Sequence, residues 1–288
     1  MNYISPEVNR VARDLSWLST SPEIISVAAL RQAKIPSLNA GRELLSCAFG
    51  DVPQISSTNR LGLYFEQLCR FQFEQHPEVN IVSANQQIIH EKHTIGEFDL
   101  IIEHLKTRIH FELAVKFYLQ IGPGDQLSHW VGPNLKDRFD NKYERLVNHQ
   151  LKLSENPFVK AWLDAESICI DEIGLITRGR LYYPYACFME ADFLFPVEVE
   201  KSHLQGFWMS GSQFRQEQSL AEFSCFELPR GFWLSEVTSH EILTFQPFDG
   251  DGVSQVTAVV LWHDNKEHMR GFIVPEEWLA KAQERISI

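Results

Sequence analysis

Residues 96–119 read GEFDLIIEHLKTRIHFELAVKFYL and set Asp99, Glu112 and Lys116 among side chains that otherwise spell buried β-strand. A carboxylate flanked by Ile, Leu and Phe is costly unless something compensates it. In an antiparallel hairpin, an even loop centred on Leu105 and Lys106 sets Asp99 opposite Glu112, with Cβ atoms about 5 Å apart. An odd loop would turn Asp99 onto the face of Phe111 and Leu113, so the even loop is expected. On that register Glu97, Asp99 and Ile101 share a face of the first strand. His110, Glu112, Ala114 and Lys116 share a face of the second. Two facing carboxylates repel, and a divalent cation between them compensates better than Lys116 alone. Mg²⁺ is commonly held by one or two carboxylates plus water and phosphate oxygens, the arrangement of a metal-assisted phosphodiesterase. A nearby ammonium would stabilise developing negative charge.

The elements that must position these groups follow from periodicity. Residues 5–55 read mainly as helix broken at Pro22, Pro36 and Pro53. A stronger helix, TNRLGLYFEQLCRFQFEQH, starts with Thr58 or Asn59 as N-cap and stops before Pro77. Strands are expected over 79–89, 94–103 and 107–119, then a Gly- and Pro-rich loop. Residues 134–153 form an amphipathic helix whose inward stripe is Leu135, Phe139, Tyr143, Leu146, Gln150 and Leu153. A fourth strand is expected from near Ile168. Beyond about residue 200 aromatics become dense, and HLQGFW, PRGFW and HMRGFI echo one another without making a repeat. Those Trp and Phe residues read as core, in a β-rich region closed by a helix from Pro275.

Composition bounds the function. Of 288 residues, 44% are hydrophobic and 22% charged, a globular profile. The net charge of −12 counts against nonspecific coating of nucleic acid, which needs Lys and Arg against phosphate. Any nucleic-acid role must therefore come from a local basic surface or a partner. No apolar run approaches the roughly 20 residues of a membrane helix. The N-terminus lacks the basic and apolar blocks of a signal peptide. Cys47, Cys69, Cys169, Cys187 and Cys225 are scattered and never spaced Cys-x-x-Cys, which fits reduced thiols in a cytoplasmic protein.

A helix with a glutamate, a strand with Gly-x-x-Asp, a strand with Glu and Lys, then a helix resembles the PD-(D/E)XK nuclease superfamily. The strings LGLYFEQL, GEFDLI, FELAVKFYL and GPNLKDR resemble one bacterial branch of it, the uncharacterised family DUF1853. The resemblance runs the length of the chain and is sharpest over 58–153. It implies an α/β fold, with a restriction-endonuclease-like core of mixed β-sheet flanked by helices and a C-terminal β-rich extension. It also implies Mg²⁺- or Mn²⁺-dependent hydrolysis of nucleic-acid phosphodiester bonds. Carried over, Glu66 is the helix carboxylate, Asp99 and Glu112 are further metal ligands, and Lys116 is the catalytic ammonium. The superfamily pattern is Glu-x-Lys, whereas here Ala114 stands where the lysine belongs. Either the lysine has moved along the face, or the acid has moved the other way.

Plainer readings stand beside these. Glu66 precedes Arg70 by four residues, the spacing of a helix-surface salt bridge. Arg138, Lys142, Arg145, His149 and Lys152 make a second stripe on helix 134–153, either a solvated face or a phosphate-contacting surface. Gln150 on the apolar stripe is expected to point into the site. Arg138, Lys142, Arg145, Gln150 and Lys152 are thus the candidate nucleic-acid contacts, with DNA ahead of RNA as partner. A protein partner or a second copy of the chain stays open. His263, Asp264 and His268 match no strong metal-ligand spacing. The chain divides into a helical segment (1–57), the nuclease-like core (58–199) and the β-rich region (200–288). The expected function is a metal-dependent nuclease. The alternative is a degenerate nuclease fold used as a binding or scaffold module.

Overall fold

The computed structural model describes residues 6–26 and 60–286. The expected helix breaks at Pro36 and Pro53, the caps Thr58 and Asn59, and Cys47 lie outside them. In chain order the main elements are α1 (Pro6–Thr20), α2 (Leu61–Glu74), β1 (Val79–His90), β2 (His93–His104), β3 (Thr107–Gln120), β4 (Trp130–Val131), α3 (Phe139–Arg145), α4 (Pro157–Ala165) and β5 (Glu172–Pro184). Then come α5 (Tyr185–Glu190), β6 (Gln205–Ser210), α6 (Gly211–Gln216), β7 (Ser224–Glu227), β8 (Thr257–His263), β9 (Lys266–Val274) and α7 (Trp278–Ile286). The fold is mixed α/β. The chain forms two compact units: the described residues up to Val115 with Tyr143–Arg178, and Lys116–Lys142 with the described residues from Gly179 on.

In the first unit β1, β2 and β3 form an antiparallel meander. Leu105 and Lys106 close the β2–β3 hairpin with φ of 50° and 72°, the two left-handed residues of a type I′ turn. The even loop gives the expected register, Leu100↔Phe111 through His104↔Thr107. The ladder stops at Leu100↔Phe111, while β1 and β2 stay paired to His90↔His93. Strands β2 and β3 therefore part just before Asp99. The strict alternation expected there is also interrupted: Phe98 and Ile101, three residues apart, pack in one apolar cluster with Ile88, Leu153, Val159 and Leu163. Ile101 thus does not simply share a face with Asp99 and Glu97. Gly96 abuts this cluster, where a Cβ would press on the terminal methyls of Leu153.

Helix α2 buries Leu61, Tyr64, Phe65, Leu68, Cys69 and Phe73, with the Phe73 ring 5.1 Å from that of Phe111. Arg60, not Thr58 or Asn59, occupies its N-cap, and no side chain caps it. Helix α1 is tied to the unit by polar bonds at buried positions. The Tyr64 hydroxyl donates to Asp14 at 2.7 Å, Arg178 Nε donates to the Leu18 carbonyl at 3.1 Å, and Arg178 pairs with Glu23.

The expected helix over 134–153 is a correction. Regular helix covers only Phe139–Arg145, followed by a π-helical turn over Leu146–Gln150 and a 3-10 turn over Leu153–Glu155. The Leu151 amide donates to the Leu146 carbonyl at 2.9 Å, the i to i+5 bond of a π turn. The apolar residues explain the change. Phe139, Leu146 and Leu153 are all buried at sevenfold spacing, and an ideal helix drifts by about 20° per seven residues. The fourth strand begins at Glu172 rather than near Ile168.

In the second unit β5, β6 and β9 run parallel, and β8 and β7 continue antiparallel. The aromatic echoes pack into the core: Phe207, Trp208 and Phe272 are buried, while Phe232 and Trp233 are half-buried against it. Gly271 faces Phe207, where a Cβ would come within 2.4 Å of the ring. Arg270 is buried and pairs with Glu267, and its guanidinium also donates to the carbonyls of Phe232, Trp233, Leu234 and Ser235. Helix α7 closes the unit, with the Trp278 indole donating to the Pro133 carbonyl at 2.8 Å.

Candidate metal and catalytic site

Where β2 leaves β3, the Leu113 amide loses its strand partner. Asp99 takes that place: its Oδ2 accepts the Leu113 N–H at 2.9 Å. Glu112, next along β3, is 1% exposed. Its Oε1 lies 2.9 Å from His110 Nε2, and its Oε2 accepts from Gln150 Nε2 at 2.7 Å. His110 Nδ1 is buried without a hydrogen-bond partner. An unpaired acceptor nitrogen is easier to tolerate there than an unpaired N–H, which assigns the His110 proton to Nε2, donating to Glu112. The π turn ends on Gln150, and this local widening of the helix accompanies its reach to Glu112.

Burial, more than these bonds, sets the protonation of the cluster. Burial, then the neighbouring Glu112 charge, raises Asp99 to about 7. Burial also raises Glu112 to about 8, against opposing effects of a hydrogen bond to Asp99 and the Arg145 charge. Burial lowers His110 to about 4. The His110–Glu112 contact is therefore a neutral imidazole beside a carboxyl group, not an ion pair at neutral pH. A hydrogen bond between Glu112 and Asp99 requires a proton on one of the two carboxyls. Glu66 of α2 is raised to about 6, first by burial and then by Asp99. Its Oε2 accepts from Asn85 Nδ2 at 2.9 Å. Glu97 accepts from Gln87 at 3.0 Å and raises both Asp99 and Glu112.

The structure thus brings Glu66, Asp99, Glu112 and Gln150 together, with Glu97 as a fourth carboxylate. Arg70, the plain partner for Glu66, bonds Glu74 instead. Lys116, Arg138 and Lys142 belong to the second unit. Arg138 holds Asp140 through two bonds and donates to the Arg285 carbonyl. Arg145 and Lys152 are exposed, and Arg145 is the cation that lowers Glu112. His110, Asn85 and Gln87 were not singled out from the sequence. A histidine inside an apolar strand and the amide run Asn85-Gln86-Gln87 in a strand were the signals.

The donors of the cluster are carboxylate oxygens, which suit a hard dication such as Mg²⁺ or Mn²⁺. Each carboxylate offers about four lone-pair sites, so these hydrogen bonds leave acceptor capacity on Asp99 and Glu112. The three acids are not a tight three-ligand cage. Among the described residues, the His, Cys, Asp and Glu group with three ligand atoms within 4.8 Å of one another is His76, Glu78 and His104.

The four described cysteines are free thiols. No helix among the described residues is long and apolar enough to cross a membrane. No curated protein and no solved structure matches the chain. The family model described as "Domain of unknown function (DUF1853)" matches residues 13–274. That span covers most of the sequence, and the chain belongs to the DUF1853 family.

Proposed function

We propose that this chain is a Mg²⁺- or Mn²⁺-dependent nuclease with a PD-(D/E)XK-like core, hydrolysing nucleic-acid phosphodiester bonds at Glu66, Asp99 and Glu112. One observation carries the reading: at the fork of β2 and β3 the Leu113 amide holds half-buried Asp99 beside buried Glu112, and burial raises the two carboxyls to about 7 and about 8. A group of acids raised by burial and mutual repulsion in this way favours a function over a structural role. A dication bound there would polarise the phosphate and lower the pKa of an attacking water. The chain's own residues position the acids. The Leu113 amide fixes Asp99, while His110 and Gln150 hold the two oxygens of Glu112. Arg145 supplies positive charge near enough to lower Glu112, and its exposure leaves it open to phosphate contact.

Ala114, at the position of the superfamily lysine, favours a second reading, a degenerate nuclease fold that binds without cleaving. The test is cleavage of single-stranded, duplex and branched DNA with Mg²⁺ or Mn²⁺. Cleavage by the wild type that is lost in Asp99→Ala supports the nuclease. Wild-type activity no higher than that of Asp99→Ala, with retained DNA binding, establishes the second reading instead.

A further inference from the structure

We infer that His76, Glu78 and His104 form a second metal site, for a transition-metal dication of the zinc class. It stands independently of the nuclease reading. His104 precedes the β2–β3 turn by one residue, and Asp99 lies five residues back along β2, about 17 Å at strand rise. The two clusters also differ in donor chemistry. Two imidazoles and one carboxylate suit Zn²⁺ and its neighbours, whereas Mg²⁺ and Ca²⁺ prefer oxygen alone.

The backbone presents these ligands in advance. His76 follows the end of α2, its amide donating to the Phe73 carbonyl at 3.0 Å. Residues 76–79, His-Pro-Glu-Val, then form a turn closed by the Val79 amide on the His76 carbonyl at 3.1 Å. Pro77 fits the second position of such a turn. Val79 pairs with His104 in the β1–β2 ladder, which sets His104 beside this turn. His104 also pairs with Thr107 and so closes the type I′ hairpin. The three ligand atoms lie within 4.8 Å of one another. The two imidazole rings stand edge to face with centroids 5.6 Å apart.

The separation of His104 Nε2 from Glu78 Oε2 is 3.8 Å. That is too long for a hydrogen bond and close to the ~3.3 Å that two tetrahedral zinc ligands keep from each other. Small side-chain rotations complete the approach. Glu78 is mostly exposed and His104 partly so, so an ion can reach them from solvent. The Glu78 amide donates to His76 Nδ1 at 3.2 Å. That bond is at the long end of its range, and a cation taking the Nδ1 lone pair would replace it. Three protein ligands leave at least one position for water or an outside group. The ion would staple the α2–β1 turn to the end of the β2–β3 hairpin.

The test uses the full-length chain, stripped with chelator and titrated with Zn²⁺ and with Co²⁺. The expected result is one tight equivalent at this site. Co²⁺ should give the visible absorption of a four- or five-coordinate complex. His76→Ala and Glu78→Gln, both near the surface, should each weaken that affinity at least ~100-fold, more than loss of an outer-shell contact. Both should keep the wild-type circular dichroism and the Mn²⁺ response of the Asp99 cluster. A wild type that takes up no tight equivalent overturns the proposal. So does unchanged Zn²⁺ affinity in both variants.

Discussion

Replacing Glu112 with Gln removes a titrating group and leaves the shape of the site nearly unchanged. The amide oxygen can still accept from Gln150, and the amide N–H can donate to His110 Nε2 after a tautomer change. In the wild type the folded carboxyl is raised from 4.5 to about 8. A folded pKa above the unfolded one means that the native state binds more protons between those values. Stability is then full below about pH 4 and is lost as pH rises towards 8. At 1.36 kcal/mol per pH unit, the loss is about 3 kcal/mol by pH 7 and on the order of 4–5 kcal/mol by pH 9. Glu112→Gln does not suffer this loss. Its stability relative to wild type should rise from about 1 kcal/mol at pH 5 to about 4–5 kcal/mol at pH 9, apart from any constant offset. The same change removes the charge that ranks second in raising Asp99, so part of the Asp99 loss is relieved as well. Urea unfolding followed by circular dichroism, in chelator, reads this difference. A difference that stays flat between pH 5 and pH 9 would refute the reasoning, because it would mean that Glu112 ionises in the fold as easily as in the unfolded chain.

Four further outcomes follow from the same contacts. Mn²⁺ should raise the melting temperature of the wild type more at pH 8 than at pH 5, since it must displace protons from carboxyls raised to about 7 and about 8; a thermal melt series checks this. Gln150→Ala should cost about 1–3 kcal/mol by leaving a buried carboxyl oxygen unpaired, and unfolding that matches wild type would remove Gln150 from the site. Lys106, at φ 72° in the hairpin turn, should tolerate Gly with a gain of up to about 1 kcal/mol, measured by the urea midpoint. Arg270→Ala should destabilise the second unit by about 3–5 kcal/mol, because Glu267 loses its partner in a buried setting; retained cooperative unfolding at the wild-type midpoint would contradict that.

The strands were legible because their apolar runs are long and turn residues separate them. The hairpin register was legible because one parity alone spares Asp99 an apolar face. The same parity placed the loop on Leu105 and Lys106, but its type I′ conformation was not legible, since neither belongs to the residue types that favour positive φ. The fork at Asp99 was also hidden. It depends on Phe98 and Ile101 both packing beneath α4 and Leu153, a tertiary contact that overrides the two-residue period of a strand. The π turn that ends on Gln150 likewise replaces a regular helix whose apolar residues recur every seventh position. Lys116 stands at the boundary between the two units, which falls within β3 just after Val115. It shares a strand and a parity with Glu112, the two features by which the sequence marked it.

The central claim is that Asp99 and Glu112 are two halves of one cation site. Anomalous X-ray diffraction from crystals soaked with Mn²⁺ tests it most directly. The account predicts a peak about 2.1 Å from an oxygen of each carboxylate. That peak should be absent in Asp99→Asn. Crystals whose carboxylates stay in contact with no Mn²⁺ between them would contradict it.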